Sequence, residues 1–264
     1  LEFRRVLFRS KWDQFKYRKK LDDLSKVLSS VNPDELPEII GLCEVENREV
    51  VSELAKTGKL SKGKYQVVHH ESPDTRGIDC ALLYRPNEFR VETHFPVRIN
   101  FKNQPQHKTR DILYVKGKTR NREEFHIFVN HWPSRIGGVA ETEHSRVEVA
   151  RVLRTKIDSV LLQNPQANIV VMGDMNDEPE NKSLHEILGA KKPGTLGARL
   201  VNLMFPDDLQ ERGSYYYRGN WNMLDNLVVS SGLLDETGFQ CKELKGFIFQ
   251  QEWMRSEEHT SELQ

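Results

Sequence analysis

The sequence predicts an α/β fold of the α+β type, with two β-sheets packed face to face and helices on the outer faces. Short strand-like runs outnumber helical ones, and the helices occur singly between groups of strands. That order favours a four-layer α/β/β/α sandwich over a doubly wound parallel sheet, which requires regular βαβ alternation. A chain of 264 residues with 37% hydrophobic residues is long enough to bury one such core, so we expect one domain.

The first part of the chain predicts two helices and one strand. A helix is predicted from Tyr17 to Val31 because its apolar residues recur at steps of three and four. The apolar run from Pro37 to Val45 is short and bounded by turn formers, which predicts a buried strand. A second helix is predicted from about Asn47 to Lys56.

Strand-like runs then dominate the chain. Five of them, separated by Pro, Gly and Asn, predict an antiparallel meander: YQVVHHES, GIDCALLYRP, FRVETHFPVRI, RDILYVKGKT and EEFHIFVNHWP. A third helix is predicted over roughly Ala140 to Leu162, followed by the strand NIVVMGDMND and a short helix from Ser183 to Leu188. MLDNLVVS and GFIFQ predict two late strands.

Charge and cysteine content restrict the class of protein. With 39 basic and 39 acidic residues the chain is neutral overall, so any contact with nucleic acid needs a local patch. The run RDILYVKGKTRNR is the candidate patch, and an exposed hairpin with solvated charges is the alternative.

Cys43, Cys80 and Cys241 lie far apart in apolar runs, which predicts buried thiols and no disulfide framework or zinc site. No apolar stretch reaches the roughly 20 residues of a membrane span. We expect a monomer without a stable protein partner.

Both ends of the chain look foreign to the fold. Residues 1–10, LEFRRVLFRS, and residues 255–264, RSEEHTSELQ, resemble translated sequencing-adaptor sequence. The folded domain is therefore expected over residues 11–254, with ordinary polar tails as the alternative. A signal peptide would lie upstream of such a start, so the sequence indicates no compartment.

Polar side chains stand where apolar strands end, and strand ends aim side chains into a shared cleft. In GDMND, Asp174 and Asn176 offer a carboxylate suited to activating water and an amide suited to donating to a phosphoryl oxygen. An Asx turn leading into a helix is the alternative. Glu44 follows an apolar run, where a charge is costly unless a cation such as Mg²⁺ or a hydrogen bond compensates it. A salt-bridged glutamate at a helix start is the alternative there.

Two further motifs contain candidate residues. In VNHWPSRIGG, His131 is suited to contacting a phosphoryl oxygen near neutral pH, and Arg135 offers a bidentate guanidinium. Core packing of His131 and Trp132 is the alternative. In MLDNLVV, Asp225 needs a partner within an apolar strand, and a histidine whose tautomer it fixes is a good candidate. The histidine that follows, His259, lies in the adaptor-like tail. The remaining histidines show no i, i+4 pairing with an acidic residue and are treated as structural or surface residues.

The order of these motifs closely resembles the endonuclease/exonuclease/phosphatase superfamily, which includes secreted DNases, abasic-site endonucleases, sphingomyelinases and inositol-polyphosphate phosphatases. The motifs are Glu44 after the first visible strand, then DTRGIDCALLY, VNHWPSR, GDMNDEP and MLDNLVVS. The resemblance covers about Lys11 to Met254, and GDMND is its most specific part. It implies a DNase I-like four-layer sandwich.

The resemblance also implies roles for the candidate residues. Glu44 looks like the ligand of one or two Mg²⁺ or Mn²⁺ ions, and His131 matches a histidine that contacts the scissile phosphate. Asp174 and Asn176 match the pair that positions water and phosphate, and Asp225 matches the aspartate that orients a catalytic histidine. The remaining residues expected to bind the substrate are Asn130, Arg135 and Arg76. The implied reaction is in-line attack of a metal- and carboxylate-activated water on a phosphodiester.

Two departures from the family pattern are expected to matter. The family begins with a strand that ends in an asparagine near the metal, and it closes with a Ser-Asp-His run that supplies the catalytic histidine. Neither is found here, next to the adaptor-like ends. We therefore expect a sandwich that lacks its first and final strands, and a chain that is inactive or severely impaired. Adding the closing segment is expected to restore nuclease activity.

Nucleic acid is the expected substrate, cut by an endonuclease that acts on DNA or RNA. A phosphatase or sphingomyelinase-type phosphodiesterase is the alternative, because the catalytic residues are shared and the loops decide the substrate. A catalytically inactive binding module on the same fold is a third hypothesis. It predicts that Asp174→Ala changes nothing measurable in the full-length parent protein.

Overall fold

The computed structural model of the chain describes residues 13–102, 104–205, 212–235 and 238–254. The adaptor-like tails predicted at residues 1–10 and 255–264 lie outside these ranges. The helices are α1 (Gln14–Ser30), α2 (Arg48–Ala55) and α3 (Val139–Gln163). The strands are β1 (Ile39–Val45), β2 (Gln66–His69), β3 (Asp79–Tyr84), β4 (Phe89–Val97), β5 (Ile112–Thr119), β6 (Glu124–His131), β7 (Asn168–Asp174), β8 (Ala190–Lys191), β9 (Leu200–Asn202), β10 (Tyr215–Tyr217), β11 (Asn220–Asn222) and β12 (Asp225–Ser230).

The strands form two main sheets and a separate hairpin. The small sheet has the order β1-β3-β2 and the large sheet has the order β4-β5-β6-β7-β12-β9-β8. Strands β6 and β7 run parallel, as do β8 and β9, and the other neighbours are antiparallel. The remaining strands, β10 and β11, pair only with each other. Short helical turns lie at Gly58–Gly63, Ser183–Leu188, Ser231–Leu233 and Glu252–Met254.

Three separate apolar cores define the four layers, and the alternation of side chains along each strand produces them. In β6, Phe125, Ile127 and Val129 belong to the core between the two sheets, whereas Phe128 belongs to the core beneath α3. In β3, Leu82 faces the large sheet and its neighbours pack towards α1 and α2. The predicted α/β sandwich is therefore confirmed.

The helices begin where their side chains cap them. The side chain of Asp13 accepts a hydrogen bond from the backbone N–H of Lys16 at the start of α1, at 2.8 Å. Asn47 does the same for the backbone N–H of Val50 at the start of α2, at 2.9 Å. Such caps satisfy backbone donors that the first turn of a helix leaves unpaired. No described helix has the length and apolar character of a membrane span.

Some local predictions were wrong. The five-run meander divides between the sheets, since β2 and β3 join β1 while β4, β5 and β6 form a meander in the large sheet. Residues 246–250, GFIFQ, form no strand, and the hairpin of β10 and β11 was not predicted. The three cysteines are free thiols, but only Cys80 is fully buried, whereas Cys43 and Cys241 are partly exposed.

The core between the sheets is not closed everywhere. Val170 and Met172 of β7 are only partly buried. With Ile39 and Phe89 among the other lining residues, they border a cavity of about 830 Å³. The small sheet therefore leaves part of the apolar face of the large sheet loosely covered.

Candidate active site

Strand pairing brings the predicted residues to one rim of the sandwich. The parallel pairing of β6 with β7 sets His131 opposite Asp174, and the antiparallel pairing of β7 with β12 sets Asp225 opposite Asp174. In the small sheet, Glu44 sits in an irregularity of register between Leu42 and Val45, with a φ of 59°. Glu44, His131, Asp174 and Asp225 form what we call the rim site.

A buried imidazole stands between two more accessible carboxylates in the rim site. His131 Nε2 lies 3.6 Å from Asp174 Oδ2 and 4.0 Å from Glu44 Oε1. The side chain of His131 is 4% exposed, that of Asp174 is 29% exposed and that of Glu44 is 66% exposed. A substrate can therefore approach the carboxylates from solvent while the histidine stays fixed in the protein.

The loop after β7 holds Asp174 in place. The backbone N–H of Asn176, at a φ of 50°, donates to Asp174 Oδ1 at 2.8 Å. The Asn176 side chain is buried, and its amide donates to the Trp132 carbonyl at 3.0 Å. Before the loop, Gly173 has a φ of 127°, and a Cβ there would meet the Asn130 carbonyl oxygen at 2.1 Å. Only glycine therefore permits the close approach of β6 and β7 at this point.

Burial and neighbouring charges shift the pKa values of Asp174 and His131 away from their ordinary values. Burial raises the pKa of Asp174 to about 7, with a further contribution from the charge of Asp225. Burial also lowers the pKa of His131 to about 3, and the charges of Arg110 and Arg76 act in the same direction. His131 is therefore neutral at pH 7, and Asp174 titrates near neutrality.

Arg110 lies beneath the rim site, a position that the sequence pattern does not predict. Its Nε donates to the His131 carbonyl at 3.2 Å, and its Nη2 donates to the Trp132 carbonyl. Its Nη1 pairs with Asp74 Oδ2 at 3.1 Å, and both side chains are buried. In the sequence Arg110 only begins RDILYVKGKT, a run that predicts a strand, and nothing in that pattern indicates a buried arginine.

The run RDILYVKGKTRNR forms no continuous basic strip beside the rim site. Lys116 pairs with Glu124 at 3.0 Å, and Lys118 pairs with Glu92 at 3.3 Å. These lysines lie further along β5, away from the end that carries Arg110. Both lysines of this segment are thus paired with glutamates of the large sheet.

The three residues expected to bind the substrate lie in different environments. Arg76 is half-exposed, and its Nε lies 3.4 Å from Asp74 Oδ1. Arg135 is mostly buried and donates to the Asn176 carbonyl at 2.7 Å and to Asn222 Oδ1 at 3.1 Å. Asn130 is fully buried, and it accepts from Trp132 Nε1 at 3.0 Å. Only Arg76 presents its charged group at the surface.

Buried polar contacts fix the loop that follows Asp174. Asp177 pairs with Arg146 Nε of α3 at 2.8 Å, and both side chains are almost completely buried. Its other carboxylate oxygen accepts from the Ser183 hydroxyl at 2.5 Å. Asn226 of β12 donates to the Asp177 carbonyl at 2.9 Å. The loop is therefore tied to α3 and to the strand that carries Asp225.

Two groups of side chains have the chemistry of a cation site. Glu44 and Asp174 offer accessible carboxylate oxygens on either side of His131, and hard divalent cations prefer such ligands. The burial that raises the pKa of Asp174 is a cost that a bound cation offsets, so these residues fit a divalent metal. Among the described residues, His69, Glu71 and Asp79 also place ligand atoms within 4.8 Å of one another. In that group, however, His69 Nε2 already contacts Asp79 Oδ2 at 3.2 Å.

Comparison with known proteins gives one family match. The model of the "Endonuclease/Exonuclease/phosphatase family" matches residues 6–262. Curated proteins give no match.

Solved structures share the fold at low sequence identity. The catalytic domain of human Nocturnin with a bound sulfate anion is 21% identical, with a TM-score of 0.57 over 82% of this chain and 76% of that one. TDP2 of D. rerio, complexed with a single-strand DNA product, is 14% identical, with a TM-score of 0.54 over 80% and 77%. The mannosyl-6-phosphatase Bt3783 of Bacteroides thetaiotaomicron is 13% identical, with a TM-score of 0.57 over 81% and 77%.

Proposed function

Because this chain belongs to the endonuclease/exonuclease/phosphatase family, we propose that it is a divalent-metal-dependent phosphodiester hydrolase that cuts nucleic acid internally. Hydrolysis of phosphoesters is the chemistry of the family. The observation that carries the proposal is the position of His131 within 4.0 Å of both Glu44 and Asp174 at an accessible rim. A nucleic acid substrate is supported by the similarity to a TDP2 that is complexed with a single-strand DNA product.

Asp174 is the proposed base for the attacking water. Its carboxylate is accessible from solvent and lies 3.6 Å from His131 Nε2, so it is placed to take a proton from a water molecule at the rim site. Neutral His131 offers its Nε2 to a phosphoryl oxygen or to the carboxyl beside it. Arg76, half-exposed at the same rim, supplies positive charge for the phosphate.

Glu44 is the proposed ligand of one or two Mg²⁺ or Mn²⁺ ions. When bound, such a cation stabilises the charge that develops on the phosphoryl group and lowers the pKa of water. Asp225 places a second carboxylate directly across the strand pair from Asp174. We propose that Asp225 orients a catalytic histidine, which the closing Ser-Asp-His run of the family supplies.

Three of the residues first expected to touch the substrate are proposed to act by positioning. Asn176 holds Asp174 through its backbone N–H. Arg135 holds the Asn176 carbonyl, and Asn130 holds the indole of Trp132. Each of these side chains satisfies the protein's own polar groups.

The chemistry is tested by plasmid nicking in Mg²⁺ or Mn²⁺, with the closing segment that is expected to restore activity added to the chain and to its Asp174→Asn variant. Because a general base contributes about 10²- to 10⁴-fold, we expect a loss of that size. Asp22→Asn, an exposed substitution on α1, is the matched control and should leave the rate unchanged. A rate for Asp174→Asn equal to that of the unsubstituted chain would contradict the proposal.

Cation binding is tested separately by calorimetric titration with MgCl₂ and MnCl₂. We expect saturable binding that Glu44→Ala abolishes and that Asp22→Asn preserves. This titration does not depend on turnover, so it also tests the hypothesis of a catalytically inactive binding module. For such a module we expect no cation binding that depends on Glu44. Equal affinity in Glu44→Ala and in the unsubstituted chain would remove Glu44 from the metal site.

A phosphatase acting on a small phosphoester is the second candidate. It is favoured by the similarity to the mannosyl-6-phosphatase of B. thetaiotaomicron. Release of inorganic phosphate from mannose 6-phosphate, measured beside plasmid nicking, separates the two. Phosphate release without nicking would assign the rim site to a small substrate.

A further inference from the structure

The hairpin of β10 and β11 presents a cluster of exposed rings that no catalytic role requires. The residues Tyr215, Tyr216, Tyr217 and Trp221 are each between 43% and 50% exposed. Because side chains alternate along a strand, Tyr215 and Tyr217 share one face of the hairpin, while Tyr216 lies on the other beside Trp221. Both faces of this ribbon therefore carry aromatic surface that the protein does not cover.

The rings of one face are arranged as a stack. The rings of Tyr215 and Tyr217 are inclined by only 15°, with centroids 6.1 Å apart. The guanidinium carbon of Arg218 lies 5.2 Å from the centroid of the Tyr217 ring. Aromatic faces combined with a stacked guanidinium are the surface on which unpaired nucleobases stack.

The hairpin is anchored directly to the rim site. The Ser214 hydroxyl accepts a hydrogen bond from the backbone N–H of Asp225 at 3.0 Å. At the other strand, Asn222 Oδ1 accepts from Arg135, which also holds the loop after Asp174. The hairpin that carries the rings therefore adjoins the rim site through both of its strands.

We infer that the rings of Tyr215 and Tyr217, with Arg218, form a base-stacking platform for single-stranded nucleic acid whose phosphate lies at the rim site. This inference rests on the proposed function and adds the class of substrate to it. Stacking needs the flat face of an unpaired base, so the platform favours single strands over duplex. Several rings in succession suit consecutive bases better than one sugar ring.

The composition of the hairpin argues against insertion into a lipid bilayer. Residues 212–222 contain no aliphatic residue, and the turn carries the charge of Arg218. Helices that bind at a membrane interface bury several leucine, phenylalanine or tryptophan side chains, and Trp221 is the one such residue within residues 212–222.

The test measures binding without turnover. Fluorescein-labelled oligothymidylate of eight nucleotides is titrated in EDTA with the chain, and fluorescence anisotropy is recorded. We expect Tyr217→Leu, which keeps apolar surface and loses the ring, to weaken binding roughly tenfold, as loss of one base–ring stack does. Tyr217→Phe should restore most of the affinity. The exposed Phe15→Leu on α1 is the matched control and should change nothing.

Two competitors identify what the platform recognises. An oligomer of the same length with abasic sites keeps the phosphates and lacks the bases, so we expect it to bind far more weakly. Equal binding of the abasic oligomer, equal affinity of Tyr217→Leu or the absence of oligonucleotide binding would each overturn the inference. Displacement of a bound oligonucleotide by mannose 6-phosphate or by sphingomyelin vesicles at lower concentration would also overturn it.

The result of the oligonucleotide-binding test can be distinguished from the result of the nicking test. If Tyr217→Leu loses affinity for the oligonucleotide while Asp174→Asn keeps full turnover, the platform stands and the base assignment fails. If Asp174→Asn loses turnover while Tyr217→Leu binds normally, the chemistry stands and the platform fails. Circular dichroism of each variant establishes that it is folded.

Discussion

The sequence pattern predicts the position of some residues at the rim site, whereas the position of others depends on partners that are distant in the chain. A polar residue directly after an apolar strand was a sufficient signal for Glu44, His131 and Asp174, because strand ends of one sandwich meet at a common edge. Arg110 gave no such signal. Its burial depends on Asp74 and on two carbonyls that only the folded chain brings to it.

Asp111, next to Arg110, provides a test of stability against pH. Its carboxyl is buried, and burial raises its pKa from 3.8 to about 6 despite the ion pair with Arg98. Folding therefore favours the protonated form, and the unfolded chain loses that proton at lower pH. The destabilisation of the fold by the buried Asp111 carboxylate is absent below pH 4, grows between pH 4 and pH 6, and is complete above pH 6.

We therefore expect Asp111→Asn to be more stable than the unsubstituted chain at pH 7, by on the order of 1–3 kcal/mol. The difference should disappear near pH 4. Urea unfolding at a series of pH values measures it, with the exposed Asp22→Asn as the control that shows no such trend. A difference that grows as the pH falls would refute the assignment.

At the scale of elements, the strand predictions were most accurate where the apolar signal extended over a whole strand and least accurate where runs were short. The runs around β3, β5 and β6 bury residues on both faces and the run of β7 buries alternate residues, so the apolar signal was strong. GFIFQ has a similar composition but forms no strand. A short run becomes a strand only if a neighbouring edge accepts it, and pairing between distant segments is not visible in a local pattern. The aromatic hairpin was missed because its strands are only three residues long.

The contact between β6 and β7 gives a prediction for Gly173→Ala. A methyl group there meets the Asn130 carbonyl, and a φ of 127° is unfavourable for an L-residue. Such strain costs about 1–3 kcal/mol before the clash is counted, so we expect a larger loss of unfolding free energy in urea.

The matched control for this substitution is Gly194→Ala. Its φ of 81° imposes strain, but its Cβ would meet no atom within 4 Å. We expect Gly194→Ala to lose only the unfolding free energy that backbone strain costs. Equal losses for the two variants would mean that the close approach of the strands contributes nothing.

At the scale of the whole molecule, the two faces of the large sheet are packed to different densities. Val171 is fully buried beneath α3, whereas Val170, its neighbour on the opposite face, borders the cavity between the sheets. The four-layer arrangement was predictable because strand and helix counts limit the possible architectures. The size of the cavity was not predictable, since it depends on how completely one sheet covers the other.

This asymmetry predicts opposite effects for one added methylene. Val170→Ile places it in the cavity and should stabilise the fold by about 0.8 kcal/mol, which raises the Tm by roughly 2 °C. Val171→Ile forces it into a closed core, which costs about 1–3 kcal/mol. Differential scanning calorimetry measures both, and a lower Tm for Val170→Ile would mean that the cavity is closed in solution.

The rim site draws on residues 44, 131, 174 and 225, which belong to both sheets and span most of the chain. Closing loops of such length is entropically expensive and slow, so contacts of this kind form late in folding. A chain emerging from synthesis therefore carries helices and hairpins before it carries any chemistry. The arrangement of carboxylates and imidazole on which hydrolysis of a phosphoester would depend arrives only with the completed tertiary structure, and immature copies lack it.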